Sequence, residues 1–439
     1  MQYLYVLTFA AVEKMEVKLK YGKGVKILRL PEQADVQVLT PHDLPHLSDL
    51  AGSLQAVLDA PLQAQPLERR PRPGRIAIAV PDETRPVPLK ELLPVLLDRI
   101  FKAWPGIDPE AVAIVVGGGL HPAPDSDQMA RILPEDLGGC RVVSHDALSS
   151  PLKSYGFTSR GTPVEINAVF GEADLKIVVG MIDPHQYQGM TGGSKGATIG
   201  CASRKMIEKN HSLMSTPGAV AGNIHDNFPR QDLNEAGRMI GIDLAVNVCL
   251  NSAQKAVAVL TGEPEAVLMS GAKITEQLYG LPLKEPFDIV VASCGGHPKD
   301  ICIYQAQKGL NTASQCVVEG GRILLLAACN QGVGDQTYYD YVRRFTCPSS
   351  QMKDFEEFGF RMGAHKAYLY SRTLTRFSVV IDSELDAQTL ADCHLSKGNA
   401  QETLDRWFQE QPPGFKPKVA VLPNANTSYF YNRKQLEEI

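Results

Sequence analysis

The sequence predicts an α/β protein of two domains, each a mostly parallel sheet flanked by helices. Two observations carry this. Short apolar runs such as Ile76–Val80, Val112–Val116, Leu175–Gly180, Phe287–Ala292 and Arg322–Ala328 alternate with amphipathic stretches, which is how strands buried on both faces read between crossover helices. Several of those runs also stop abruptly in loops rich in Gly, His, Asp or Lys. Parallel strands bring such ends to one edge of a sheet, where α/β proteins build their sites.

In chain order, residues 1–14 (MQYLYVLTFAAVEK) lack a basic start and a clear small-residue cleavage site. They are expected to be a disordered extension or a mis-set start rather than a signal peptide. From Met15 the chain alternates like a hairpin around Tyr21-Gly22-Lys23-Gly24, and 15–40 reads as two antiparallel strands. Leu44, Leu47, Leu50, Leu54 and Leu58 give 41–65 a helical period. Strand, helix and strand follow at 76–80, 89–104 and 112–116, then a helix at 126–133 and short strands near 141–143 and 164–169. Strand 175–180 leads into the central loop, with a helix expected over 203–213. One more strand, 243–249, precedes a helix bearing Val267, Gly271, Ile274 and Leu278 on one face. Pro282–Pro286 reads as a hinge. Beyond it the pattern predicts strands at 287–292, 322–328, 377–381 and 419–422, and helices at 303–312, 351–371 and 400–408. The expected domains are therefore 15–281, binding the cofactor, and 282–439, with the active site in the cleft between them.

Composition narrows the function. A net charge of −5 over 439 residues argues against nucleic acid. No apolar run approaches the ~20 residues needed to span a bilayer. Nine cysteines, an odd number without C-x-x-C spacing, fit buried thiols in a reducing cytoplasm better than disulfides.

Four strand ends carry chemistry. Asp82-Glu-Thr-Arg85 has a guanidinium suited to a carboxylate, or is a helix cap followed by a surface arginine. His121 follows three glycines and a leucine, and reads as a base or as an ordinary loop histidine. His185 and Lys195 flank Gly192-Gly193, which resembles a phosphate cradle but lacks Walker A spacing, and no G-x-G-x-x-G is present. His211 lies on or just after a helix, where the dipole also favours a histidine. Gln305 and Lys308 share a helix face just after His297.

Taken together, Asp82-Glu-Thr-Arg85-Pro, Gly-Gly-Leu-His121, Pro184-His185, Gly-Gly-Ser-Lys195, Asn210-His211, Gly295-Gly296-His-Pro298 and Ile-Tyr304-Gln305-Ala-Gln-Lys308 resemble the nickel-dependent lactate racemase family. The resemblance implies a racemase or epimerase of a small-molecule 2-hydroxy acid, working by hydride transfer through a 2-keto acid. It implies a nickel-pincer nucleotide (nickel pyridinium-3,5-bisthiocarboxylic acid mononucleotide) held covalently by Lys195, with His211 completing the nickel coordination, and partner enzymes that make and insert it. It makes His121 and His185 the acid/base pair, and Gly192 and Gly193 the close approach to the cofactor. Arg85, Gln305 and Lys308 orient the substrate, supported by Asp82, with Tyr304 and His297 beside them. The sequence departs from the family at Pro122, at 186–188, after Lys195, and at His297. Gln186, Tyr187, Gln188 and His297 suit a larger or more polar 2-hydroxy acid, or are ordinary loop packing. A redox enzyme or sugar-acid epimerase using the same cofactor, and a non-catalytic binder of a phosphate-containing ligand, are the alternatives.

Overall fold

The computed structural model describes residues 14–32 and 34–431. The expectation for residues 1–14 lies outside them, apart from Lys14, which opens the first strand. The chain divides into two compact units, 41–280 and the N-terminal 40 residues together with 281 onward.

Unit 41–280 holds a six-stranded sheet. Its order is Ala256–Gly262, Leu244–Leu250, Leu175–Met181, Ile76–Pro81, Val112–Gly117, Arg141–Ser144. Every pair is parallel except the edge pair formed by Ala256–Gly262. Period-two alternation explains the two layers around it. Ile76, Ile78 and Val80 face a core with Leu92, Leu93 and Leu96 of helix Leu89–Ala103. Each such burial contributes about 1.5–3 kcal/mol. Ala77 and Ala79 face the other core, with Met206, Ile207 and Ala236 of helices Arg204–Ser212 and Phe228–Ile240. Small residues there let the site-bearing segments lie close to the sheet. From Ile76–Pro81 the chain builds outward to one edge, then returns to place Leu175–Met181 on the other side. The loops after these two strands diverge at that switch point, where α/β sheets hold ligands.

The second unit has an all-parallel six-stranded sheet. Its order is Ser396–Lys397, Ser378–Asp382, Val317–Leu326, Phe287–Ser293, Lys418–Leu422, Asp35–Val38. The hairpin Lys14–Tyr21 with Gly24–Pro31 forms as expected. Its Val17, Leu19, Leu28 and Leu30 pack on Ile289, Val291, Leu324 and Trp407. The described residues from 14 to 40 therefore fold with the C-terminal part, and the expected assignment of 15–40 to the N-terminal domain is corrected. The cause is long-range pairing: Asp35–Val38 finds its partner at Lys418–Leu422.

Other elements also differ from expectation. The 351–371 helix is two, Pro348–Phe358 and Ala364–Leu374, separated where Gly359 and Gly363 take φ of 72° and 81°. Helix Phe228–Ile240, capped by Asn227 and ended by Gly241, was not expected. Nor was the edge strand Ala256–Gly262.

Candidate active site

Three loops of unit 41–280 meet at the switch point. The first leaves strand Ile76–Pro81 at Asp82, which is 7 % exposed. Asp82 Oδ1 accepts from the Thr84 hydroxyl at 2.5 Å and from the Thr84 N–H at 3.2 Å. Arg85, exposed beside it, donates to Thr84 O and Oγ1. Asp82 does not cap a helix; the next one starts at Leu89 with Pro88 before it.

The second loop leaves Val112–Gly117 and reaches His121, whose Nδ1 lies 2.7 Å from Asp82 Oδ2. A Cβ added to Gly118 would sit 2.4 Å from that same oxygen, so glycine there is what lets the pair form. Burial pushes the Asp82 carboxyl up, but the hydrogen bonds from His121 and Thr84 outweigh it and hold it below the usual range. An ionised Asp82 accepts the Nδ1 proton and leaves His121 Nε2 as the basic nitrogen.

The third loop follows Leu175–Met181. His185 pairs with Gly189 in a two-residue ladder, and its Nδ1 accepts the Gln188 N–H at 3.3 Å. The neutral ring thus carries its proton on Nε2, the opposite tautomer to His121. Tyr187 stands edge-on to both His185 and His211, at 4.7 Å and 5.2 Å. Gly192 and Gly193 take φ of 83° and 59° before Lys195. The Gly193 N–H goes to Asn247 Oδ1 at 2.8 Å and the Thr191 N–H to Asp183 O, so these two amides are already used and do not cradle a phosphate. Burial, then the cations Arg85 and Arg230, pull Lys195 well below the ordinary lysine pKa, against Asp183. Burial, then Lys195, His211, Arg85 and Arg230, hold His185 well below 6.5.

The loops line a cleft of about 610 Å³, open mouth included, with Asp82, Arg85, His121, Lys195 and Asn247 on its walls. His185 and His211 lie outside that lining; His211 is 9 % exposed, in the last turn of Arg204–Ser212. The remaining expected residues belong to the other unit. His297 is exposed after strand Phe287–Ser293, its N–H bonded to Gly22 O. Tyr304, Gln305 and Lys308 lie on helix Ile303–Ala313, Lys308 exposed. Burial lifts the Tyr304 hydroxyl to about 12, and it lies 3.3 Å from His365 Nε2. Sequence reasoning missed Thr84, Asn247 and Arg230. Asn247 left a signal, the lone polar side chain in the apolar run LAVNVCL.

Fold and site define an α/β protein whose cleft joins an Asp–His pair and a lysine. The lactate racemase N-terminal domain model matches residues 21–222, and the lactate racemase C-terminal domain model matches 283–427. The lactate racemase of Lactiplantibacillus plantarum is 29% identical over 386 residues, 85% of this chain and 89% of that protein. That of Thermoanaerobacterium thermosaccharolyticum is 29% identical over 343 residues, 76% and 80% of the two chains. The structure of the latter organism's lactate racemase apoprotein superposes with a TM-score of 0.86 at 26% identity, covering 95% of this chain and 100% of that one. A Thermotoga maritima protein, TM-score 0.60 at 15% identity, shares the fold. The chain belongs to the lactate racemase family, and it is an isomerase of the racemase type. Among the described residues no helix is long and apolar enough to cross a membrane.

The family implies a nickel-pincer nucleotide, and the donor set fits one. Among the described residues no cluster of three or more His, Cys, Asp or Glu is arranged to hold a metal. A nickel ion held at His211 would need further donors, and a pincer ligand would bring them. Lys195 offers a cleft-lining amine for attachment.

Proposed function

We propose that the protein interconverts the enantiomers of a 2-hydroxy acid, with the nickel-pincer nucleotide attached at Lys195 and nickel ligated by His211. The observation that carries this is the joining of an Asp82–His121 pair and Lys195, whose pKa burial lowers, on one cleft. When bound, the cofactor supplies a reversible hydride acceptor, which avoids removing a weakly acidic α-proton beside a carboxylate.

The chain's residues supply the rest. His121 takes the hydroxyl proton of one enantiomer at Nε2 and gives it back to that same enantiomer in the reverse direction, while Asp82 keeps the ring in the required tautomer and offsets its positive charge. His185, whose pKa is lowered by burial and by its cationic neighbours, is assigned as the second acid/base group. It becomes a base for the other enantiomer in the tautomer that carries its proton on Nδ1, which requires the Gln188 N–H bond to Nδ1 to be given up. Arg85 pairs with the carboxylate; Gln305 and Lys308 are assigned to substrate orientation, with Tyr304 and His297 beside them. Lactate is the substrate named for the relatives. For this chain we favour a larger or more polar 2-hydroxy acid, on the added polarity of Gln186 and His297; Gln188 is fully buried with its amide on Asn210 Oδ1, and Tyr187 is buried against His185 and His211, so these two are loop packing.

The test is a chiral screen of 2-hydroxy acids with protein co-produced with cofactor-synthesis enzymes. Racemisation of one acid at least tenfold faster than lactate supports the preference. Lactate as the best substrate refutes it, and turnover of none by nickel-loaded protein refutes the racemase assignment.

A further inference from the structure

Arg230 is fully buried at the start of helix Phe228–Ile240, with 0 % exposure. Buried arginines are normally paired with carboxylates. This one is spent on backbone. Its Nε donates to Gln188 O at 3.2 Å, one Nη to Gly192 O at 3.4 Å, and the other to Met190 O. Asn227, which caps the same helix, adds a bond from Nδ2 to Tyr187 O at 3.1 Å, and the Gly222 N–H takes Gly189 O. Five carbonyls of the loop joining His185 to Lys195 are thus held by residues 222–230, three of them by one planar guanidinium. Its fork is rigid and always protonated near neutrality, so it fixes several acceptors at once.

We propose that Arg230 is a positioning residue for Lys195 and His185: its guanidinium fixes the loop between them, and its charge is left on backbone dipoles rather than on a carboxylate. This rests on the reading of Lys195 as the cofactor's attachment point, where a free amine is the competent nucleophile. Burial lowers even the guanidinium, to about 10, with Glu265 opposing. Glu265 is itself ion-paired with Arg238. Lys195 feels Arg85 and Arg230 against Asp183, with His185 alongside. Arg85 is exposed and screened by solvent, which leaves Arg230 as the buried, unscreened cation.

The test uses full-length apoprotein. Acetic anhydride labelling of Lys195, followed by peptide mass spectrometry across pH, gives the amine's titration midpoint. Hydrogen exchange of the 186–194 peptide reports the loop. Arg230→Met is expected to raise the midpoint by about one pH unit or more, the usual effect of a nearby like charge, and to speed loop exchange severalfold. Arg230→Lys returns a cation without the fork: the midpoint falls back toward wild type while exchange stays fast. If Arg230→Met does not fold, Arg230→Gln is read in the same way. Unchanged loop exchange in a folded neutral variant overturns the proposal, and so does a Lys195 midpoint that stays where it is in wild type. Cofactor attachment is scored separately by intact mass of wild-type protein, so its failure would count against the proposed function and not against Arg230.

Discussion

Asp82→Asn removes a charge while keeping the side chain's shape, and its effect follows from two contacts. Asp82 Oδ2 is 2.7 Å from His121 Nδ1, and Oδ1 is held by Thr84. A hydrogen bond to a charged group contributes about 1.5–3 kcal/mol, which at about 1.36 kcal/mol per decade is roughly a ten- to 150-fold loss of rate. The amide also offers a donor where the carboxylate accepted. The His121 proton is then driven to Nε2 and the basic nitrogen is lost, an error that costs about 10⁴-fold in an Asp–His pair of this type. The expected fall in kcat is therefore about 10²–10⁴-fold in both directions, with KM changed by less than about threefold because Asp82 faces His121 rather than the substrate. The assay is chiral chromatography of both enantiomers' conversion by enzyme of matched nickel content. A kcat within threefold of wild type would refute the Asp82–His121 assignment.

Gly118→Ala should reproduce much of that loss without touching either ionisable group, because its Cβ would fall 2.4 Å from Asp82 Oδ2; a kcat drop of about tenfold or more and a destabilisation of about 1–3 kcal/mol are expected by kinetics and thermal melting. Lys195→Met should stabilise the apoprotein. The folded pKa lies below 10.5, so the unfolded chain binds more protons between the two values, and the penalty is full below the folded pKa and vanishes as pH rises through 10.5. Wild-type melting temperature should therefore climb with pH across that window relative to Lys195→Met, which should melt a few degrees higher near neutrality, at roughly 2–4 °C per kcal/mol; a lower-melting variant would contradict this. Asn247→Leu removes the acceptor of the Gly193 N–H and should cost about 1–3 kcal/mol for the orphaned amide, with reduced Lys195 adduct by intact mass. His211→Ala should lose nickel, measured by elemental analysis, and retain the organic adduct on Lys195.

The central strands were legible because parallel strands buried on both faces leave continuous apolar runs, as IAIAV and VAIVV do. Asp35–Val38 was not: DVQV is short and polar, and it joins a sheet only because Lys418–Leu422 offers a free edge. Helix Phe228–Ile240 was missed inside a polar stretch, although Asn227 with Pro229 marks its start. The site was legible as a set of loops but not as a geometry. Nothing local to Asp82 or His121 says that they bond, since only neighbouring parallel strands bring them together. Arg230 was the hardest to see, because its partners are carbonyls, which every residue carries. The partner of the Gly193 N–H was hidden for a related reason: it is a side chain from the adjacent strand, Asn247.

The central claim is that Lys195 carries a nickel-bearing nucleotide. Intact mass and nickel content of protein co-produced with cofactor-synthesis enzymes, beside Lys195→Ala, test it most directly. The account predicts a cofactor-sized adduct with nickel on the wild-type chain and no adduct on the variant. Neither adduct nor nickel on the wild type, under conditions that load a known lactate racemase, would contradict it.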